Sequence, residues 1–362
     1  MSYRPTLRVL PVAAAFGVAA SAHAQPALIV SRTVYPTGAA VPSIMPNQTV
    51  LPNGALAVGD GSFANVFKNE TADPSFGVTT GIIIDRRTLG GSILSSYSPG
   101  ANVPLVTSFS SKSELGLNVS QDGRYVTFMD YAAPVNALDV SNSNTPYFTD
   151  PSNPVTNSAN PLPTAATAAT TPISILPGFP ALSASGLPDV STHPFGLWFG
   201  DPTTLFVADE GDGTVTGGAN AGLGEYKLQN GVWQKLNTFR IGLTDQASYT
   251  QGLPWDVFTD GLRNLTGLAN ADGSFQLWAT TATTSNDTGH DLGADPNELV
   301  TITVNADGSA SSFRVLETAA AGERIGGVAI ADAAVVPEPE TYGLVLAGLT
   351  ATGVLARRRR AC

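Results

Sequence analysis

Through the middle of the chain, short apolar and β-branched runs alternate with turn-forming pairs, the rhythm of strands joined by hairpins rather than of amphipathic helices. Five Asn-Gly or Asp-Gly pairs stand between such runs: Asn53-Gly54, Asp122-Gly123, Asn230-Gly231, Asp272-Gly273 and Asp307-Gly308. These dipeptides supply the positive-φ residues that tight hairpin turns require. Two stretches can be laid over one another. In the first, strands are expected at 196–199, 205–209, 224–228 and 232–239, with a turn at 200–202. In the second they fall at 265–269, 275–280, 298–304 and 312–317, and both stretches carry a long loop between their second and third strands. Four antiparallel strands repeating at roughly seventy residues describe a propeller blade with an insertion. A partial third copy covers 114–120, the Asp122-Gly123 turn and 125–131.

Lone strands at 28–35 and 327–331 could pair with each other, joining the two ends of the body in one sheet and removing exposed edges. The expected fold is therefore all-β, a β-propeller-like passenger over residues 25–335. A β-sandwich or a two-sheet solenoid would use the same hairpins. Residues 141–187 break the rhythm, being rich in Pro, Thr, Ala and Ser, and read as a loop or linker.

The two ends follow different rules. Arg4 and Arg8 precede an apolar run over 9–20, and Ala22-His23-Ala24 then presents small residues at the positions a signal peptidase reads. Residues 1–24 are expected to be a signal peptide cut after Ala24, with Ala22 and Ala24 marking the site. At the other end, Val336, Pro337, Glu338, Pro339, Glu340 and Thr341 lead into an apolar segment over 342–356 and then Arg357, Arg358, Arg359 and Arg360. The prolines force an extended approach, the apolar run enters a bilayer as a short helix, and the arginines hold its end on the cytoplasmic side. About fifteen apolar residues stand where a stable span needs roughly twenty, which fits temporary retention.

Residues 336–360 resemble the PEP-CTERM sorting signal of Gram-negative bacteria, with Pro337, Glu338 and Pro339 matching its motif and the arginines its basic end. Beside the signal peptidase that residues 1–24 call for, the resemblance implies processing by an exosortase-type transpeptidase after transient inner-membrane insertion through the tail. It also implies a final place at the cell surface, outer envelope or extracellular matrix. The wording at 107–115 and 206–211 further resembles uncharacterised propeller-type passengers of such proteins.

Composition adds limits. The 362 residues include 43% hydrophobic and 13% charged ones, with 37 Gly and 26 Pro, a balance that suits strands and turns. The formal charge is -11; setting aside six arginines and two glutamates of the terminal segments leaves 12 basic and 27 acidic residues, a body near -15. Nucleic acid and anionic lipid are repelled by such a body, while divalent cations and neutral glycans are not. Cys362 is the one cysteine and lies beyond the processing motif, so no disulfide or thiol nucleophile is expected in the mature chain.

Candidate chemistry is sparse. Asp209, Glu210 and Asp212 crowd three carboxylates onto a post-strand loop that could hold Ca2+, although the EF-hand spacing is absent and a solvated acidic turn explains them as well. The loop 286–291, with Asp295, Asn297 and Glu298 after it, occupies the same place in the second copy, and the two loops could share a cation. Only His193 and His290 survive signal cleavage, too few for a His-rich site. Glu114, Asp209 and Glu210 offer carboxylates for hydrolysis, with nothing to bring them together. Trp198, Trp233, Trp255 and Trp278 suit sugar stacking or, for those in strand runs, the core. No catalytic residue is nominated, and no cofactor beyond Ca2+. The expected role is a binding or structural protein associated with extracellular polysaccharide or the envelope; a secreted hydrolase or lyase on the same scaffold is the alternative.

Overall fold

The structure is a computed structural model that describes residues 25–35, 45, 47–50, 56, 66–67, 76–77, 79–99, 105–108, 115–120, 125–132, 134–135, 176–179, 192–214, 218–243, 248, 251–253, 255–285 and 295–331. The chain divides into two units, Pro26–Asp332 and a second one made of Met1–Gln25 and Ala333–Cys362. The expected signal peptide, the sorting tail and most of the 141–187 segment lie outside the described residues.

Every regular element among the described residues is a strand. No helix among them is long and apolar enough to cross a membrane. One sheet joins β1 (Ala27–Val34), β4 (Thr79–Arg87), β6 (Leu105–Ser108), β9 (Tyr131–Ala132) and β18 (Glu323–Ala331) in the order β18-β1-β4-β6-β9, with β5 (Ile93–Tyr97) paired to β4. Two short pairs accompany it, β2 (Val66–Phe67) with β3 (Phe76–Gly77) and β7 (Asn118–Val119) with β8 (Val126–Thr127). A four-stranded meander follows: β10 (Pro194–Asp201), β11 (Thr204–Asp209), β12 (Gly222–Gln229) and β13 (Val232–Phe239). A second repeats that order with β14 (Val257–Ala269), β15 (Phe275–Ser285), β16 (Glu298–Val304) and β17 (Arg314–Thr318).

The two meanders are the two expected copies, and β13 and β16 keep the expected bounds. β14 and β15 run longer than their apolar stretches because Thr-rich continuations stay in the ladder, as at Val257↔Ser285 and Thr259↔Thr283. β-branched Thr suits the pleat without being apolar. The ends do pair: β1 runs antiparallel to β18 from Ala27↔Ala331 to Val34↔Glu323. The partial third copy departs from expectation. Its hairpin shrinks to β7 and β8, and Tyr131 joins β9 in the six-stranded sheet. The architecture is all-β with several sheets and no closed barrel among the described residues.

Turn chemistry explains the connections. Asn230 and Gly231 both hold positive φ (51° and 79°) in the two-residue link between β12 and β13. The pentapeptide Asn-Ala-Asp-Gly-Ser occurs at 270–274 and again at 305–309 with the same bonds. Ser274 N–H and Oγ donate to Asp272 Oδ1 (2.9 and 2.7 Å), and Ser309 does the same to Asp307 (2.9 and 2.6 Å).

Alternation along the strands sends side chains to two cores. Phe206, Leu223, Leu262, Phe275, Leu277 and Ile302 pack together between the two meanders. On the other face of the second meander, Trp278 and Leu299 meet Leu28, Val30, Ile325 and Val328 of the six-stranded sheet. β14, the edge strand of its sheet, lies against β10 and β11 on one flank and β18 on the other.

Candidate functional site

The site begins where β11 ends. Leu205, Val207 and Asp209 share the face of β11 opposite the buried Phe206 and Ala208, so the strand delivers a carboxylate at its last position. Asp209 is buried; its Oδ2 accepts the His193 backbone N–H (2.9 Å) and its Oδ1 that of Gly211 (3.0 Å). Burial pushes its pKa up, and these two N–H groups offset only part of the rise. The backbone of His193 brackets the loop, since its carbonyl accepts the Glu210 N–H (2.9 Å). His193 therefore shapes the strand entry through its main chain.

Glu210 leans onto β14, where its Oε2 accepts Arg263 Nε at 3.0 Å. Arg263 in turn lies 6.0 Å over the Phe195 ring. Asp212 is exposed, and its Oδ1 accepts both N–H and Oγ of Thr214 (3.0 and 2.6 Å), which lowers its pKa. The three candidate metal ligands thus point to three different partners. Among the described residues no three His, Cys, Asp or Glu side chains gather into a metal-holding group.

A fourth carboxylate sits underneath. The β14–β15 ladder shifts register between Thr259 and Leu262, a bulge that places Asp260 and Gly261 where the partner strand has a single residue. Asp260 is 3% exposed; its Oδ2 accepts the Gly213 N–H at 2.7 Å, and its Oδ1 is buried without a hydrogen-bond partner. Gly211, at φ 88°, crosses directly over it: a Cβ there would lie 2.0 Å from Asp260 Oδ1. Burial drives the Asp260 pKa up to about 7; the charges of Asp212 and Glu210 add to the rise, while the Gly213 N–H and Arg263 oppose it.

The second loop, 286–291 with His290, lies outside the described residues, as does Glu114. Its root adjoins the first loop, because Thr284 Oγ1 donates to the Gly213 carbonyl at 2.9 Å. The residues after it turn inward. Asp295 Oδ1 accepts Trp255 Nε1 (2.8 Å), and Asn297 bonds the Ile325 backbone at both N–H (2.9 Å) and carbonyl (2.8 Å). Glu298 accepts the hydroxyls of Thr318 (3.0 Å) and Thr259 (3.3 Å), and burial raises its pKa. Of the four tryptophans, Trp233, Trp255 and Trp278 are buried and Trp198 packs on the core between the meanders.

On its far side Asp209 faces a cavity of about 20 Å³, room for a water molecule. Tyr226, Lys235, Thr192 and Phe179 line it with Asp209. Phe179 stacks on Tyr226 with centroids 4.6 Å apart, and Lys235 Nζ donates to Asn220 Oδ1 at 2.9 Å. Burial lowers the Lys235 pKa and lifts that of Tyr226 to about 12.

Comparison with known protein families matches the end of the chain: residues 335–360 fit the PEP-CTERM protein-sorting motif. No curated protein and no solved structure matches the chain. The matched segment contains Val336, Pro337, Glu338 and Pro339, the residues singled out in the sequence. The chain carries a sorting signal read by exosortase: it is exported, processed on its way through the membrane, and ends at the cell surface or outside.

Proposed function

We propose that the chain is a surface or matrix protein of a Gram-negative bacterium whose propeller-like body binds extracellular polysaccharide or envelope components, without turning over a substrate. The sorting match supports the address. The propeller reading draws its support from the edge strands: β14 lies between β10 and β18, β7 flanks β18, and β1, the first strand, pairs with β18, the last. Blades arranged around an axis bring their first strands together in this way.

One observation carries the binding role over the catalytic one. The carboxylates of Asp209, Glu210 and Asp212 are each engaged by a neighbour of the protein itself, on His193, Gly211, Arg263 and Thr214. A hydrolase or lyase needs an acid and a base facing a shared space. Sedimentation of the purified chain with the producing organism's extracellular polysaccharide checks the reading. Co-sedimentation that saturates, with no turnover of esters, lactones or glycosides, is the expected outcome; turnover in that screen would replace the binding role with the catalytic one. Intact mass of the protein from its host reads both cuts, after Ala24 and near Pro337–Pro339.

A further inference from the structure

Asp260 stands apart from every other acid at the corner between the meanders. It comes from a different strand, it is almost wholly enclosed, and one of its oxygens meets no donor. A buried oxygen left unpaired is far costlier charged than neutral, so the site calls for a neutralising cation or proton. Space decides which. Gly211 crosses so close that a methyl group is refused, and Gly261, next along the bulge, sits where a Cβ would lie 2.2 Å from the Asp209 carbonyl. A metal ion with its shell of six or more oxygens has no room there. A proton does.

The surroundings favour the proton on balance, burial and two acids outweighing the Gly213 N–H and Arg263. The loop after β11 contributes the carboxylates of Glu210 and Asp212 together with the Gly213 N–H; β14 itself contributes Arg263, already engaged by Glu210. β15 contributes no charge, only the Thr284 hydroxyl on the Gly213 carbonyl. Loop 209–214 is thus fastened to β14 and β15 at Gly213 from two directions, and one of the two fastenings is the Asp260 carboxyl.

We propose that Asp260 is a pH-operated latch: protonated, it holds loop 209–214 closed over β14, and ionised, it releases that loop and loosens the corner between the two meanders. The sign follows from linkage. An acid whose proton is held more tightly in the closed form stabilises that form fully below the ordinary aspartate range, and the contribution is lost as pH rises through neutrality. The pKa of about 7 places the window between roughly pH 4 and 7. An exported protein meets that range directly from its surroundings.

Amide hydrogen exchange at Gly213 in the full-length chain tests the latch, with Phe206 in the core of β11 as internal reference and each rate corrected for intrinsic pH dependence. In the wild type the open-to-closed ratio is expected to rise with pH across the window, by up to about tenfold per unit. In Asp260→Asn, whose amide keeps an acceptor for Gly213 and cannot ionise, the ratio should stay flat. A wild-type ratio that does not change between pH 5 and 8, or an equal rise in the Asn variant, overturns the latch. If the variant does not fold, the wild-type Gly213 profile measured against Phe206 decides alone.

Discussion

Two buried aspartates, one in each of two seams between sheets, meet opposite fates. Asp85 lies in β4 with no exposed surface, between the six-stranded sheet and the second meander; Asp260 lies in β14, nearly as enclosed, between the two meanders. Around Asp85, Arg32 Nε and Arg87 Nη2 each donate at 2.7 Å and Ser96 Oγ at 2.6 Å. Burial alone would push its pKa up, but the bonds from Arg32, Ser96 and Arg87 together overcome that and the net shift is downward. Asp260 receives one N–H and looks out on two further acids. Burial is common to both; the neighbours decide whether a carboxylate in a seam is an anchor or a proton site. Linkage then gives the two seams opposite pH dependence. The Asp85 seam weakens in acid, as pH falls through the depressed value, and the Asp260 seam weakens on the way up to neutral pH.

The largest effect is expected from breaking the anchored seam. Arg87 is fully buried, holds Asp85, and pairs with Glu317 of β17, so it joins two sheets by charge. Arg87→Ala leaves Asp85 with part of its support and strands Glu317 of the neighbouring sheet. Removing one partner of a buried pair costs about 3–5 kcal/mol. Chemical denaturation at pH 7 measures it, and a loss below about 1 kcal/mol would mean the seam is wet and the contrast with Asp260 overdrawn.

Next comes the steric half of the other seam. Gly211→Ala places a Cβ against Asp260 Oδ1 on a backbone at φ 88°, where L-residues are strained. A loss of about 2 kcal/mol is expected from crowding and strain combined. Pairing it with Asp260→Ala separates the two causes. In a double-mutant cycle the crowding should vanish and the backbone strain persist, giving a coupling of about 1 kcal/mol; a coupling near zero would show that the loop shifts away from β14 without resistance.

The sequence made one of these seams half visible and hid the other. Both meanders were legible because their strands are apolar runs closed by turn pairs, as at Asn230-Gly231 and Asp307-Gly308. The loop acids Asp209, Glu210 and Asp212 stood out by their crowding, yet their true neighbour did not. Asp260-Gly261 is also an Asp-Gly pair, but it sits inside a strand and makes a bulge instead of a hairpin, a distinction that only the partner strand can draw. Nor did Ile-Ile-Ile-Asp-Arg-Arg at 82–87 announce a buried charge cluster. Charges at the end of an apolar run read as solvent-facing, and Asp85 and Arg87 are enclosed because β1 and β17 arrive from residues far away in the chain, while β5 folds back beside β4. Long-range pairing of this kind leaves no local pattern.

The smallest effect in stability is the most telling about cause. Glu210 pairs with Arg263 in a partly exposed bridge, so Glu210→Gln should cost less than about 1 kcal/mol. Its consequence for Asp260 is larger in meaning. The substitution removes a negative charge facing Asp260 and frees Arg263, which favours the ionised form; both changes move the Asp260 pKa down towards its ordinary value. The pH midpoint of Gly213 exchange should therefore shift to the acid side while the Asp85 seam keeps its own profile. Were the midpoint to stay where it is, enclosure by Gly211 and the bulge would set the proton affinity by itself, and the difference between the two aspartates would come down to the donors around Asp85 alone.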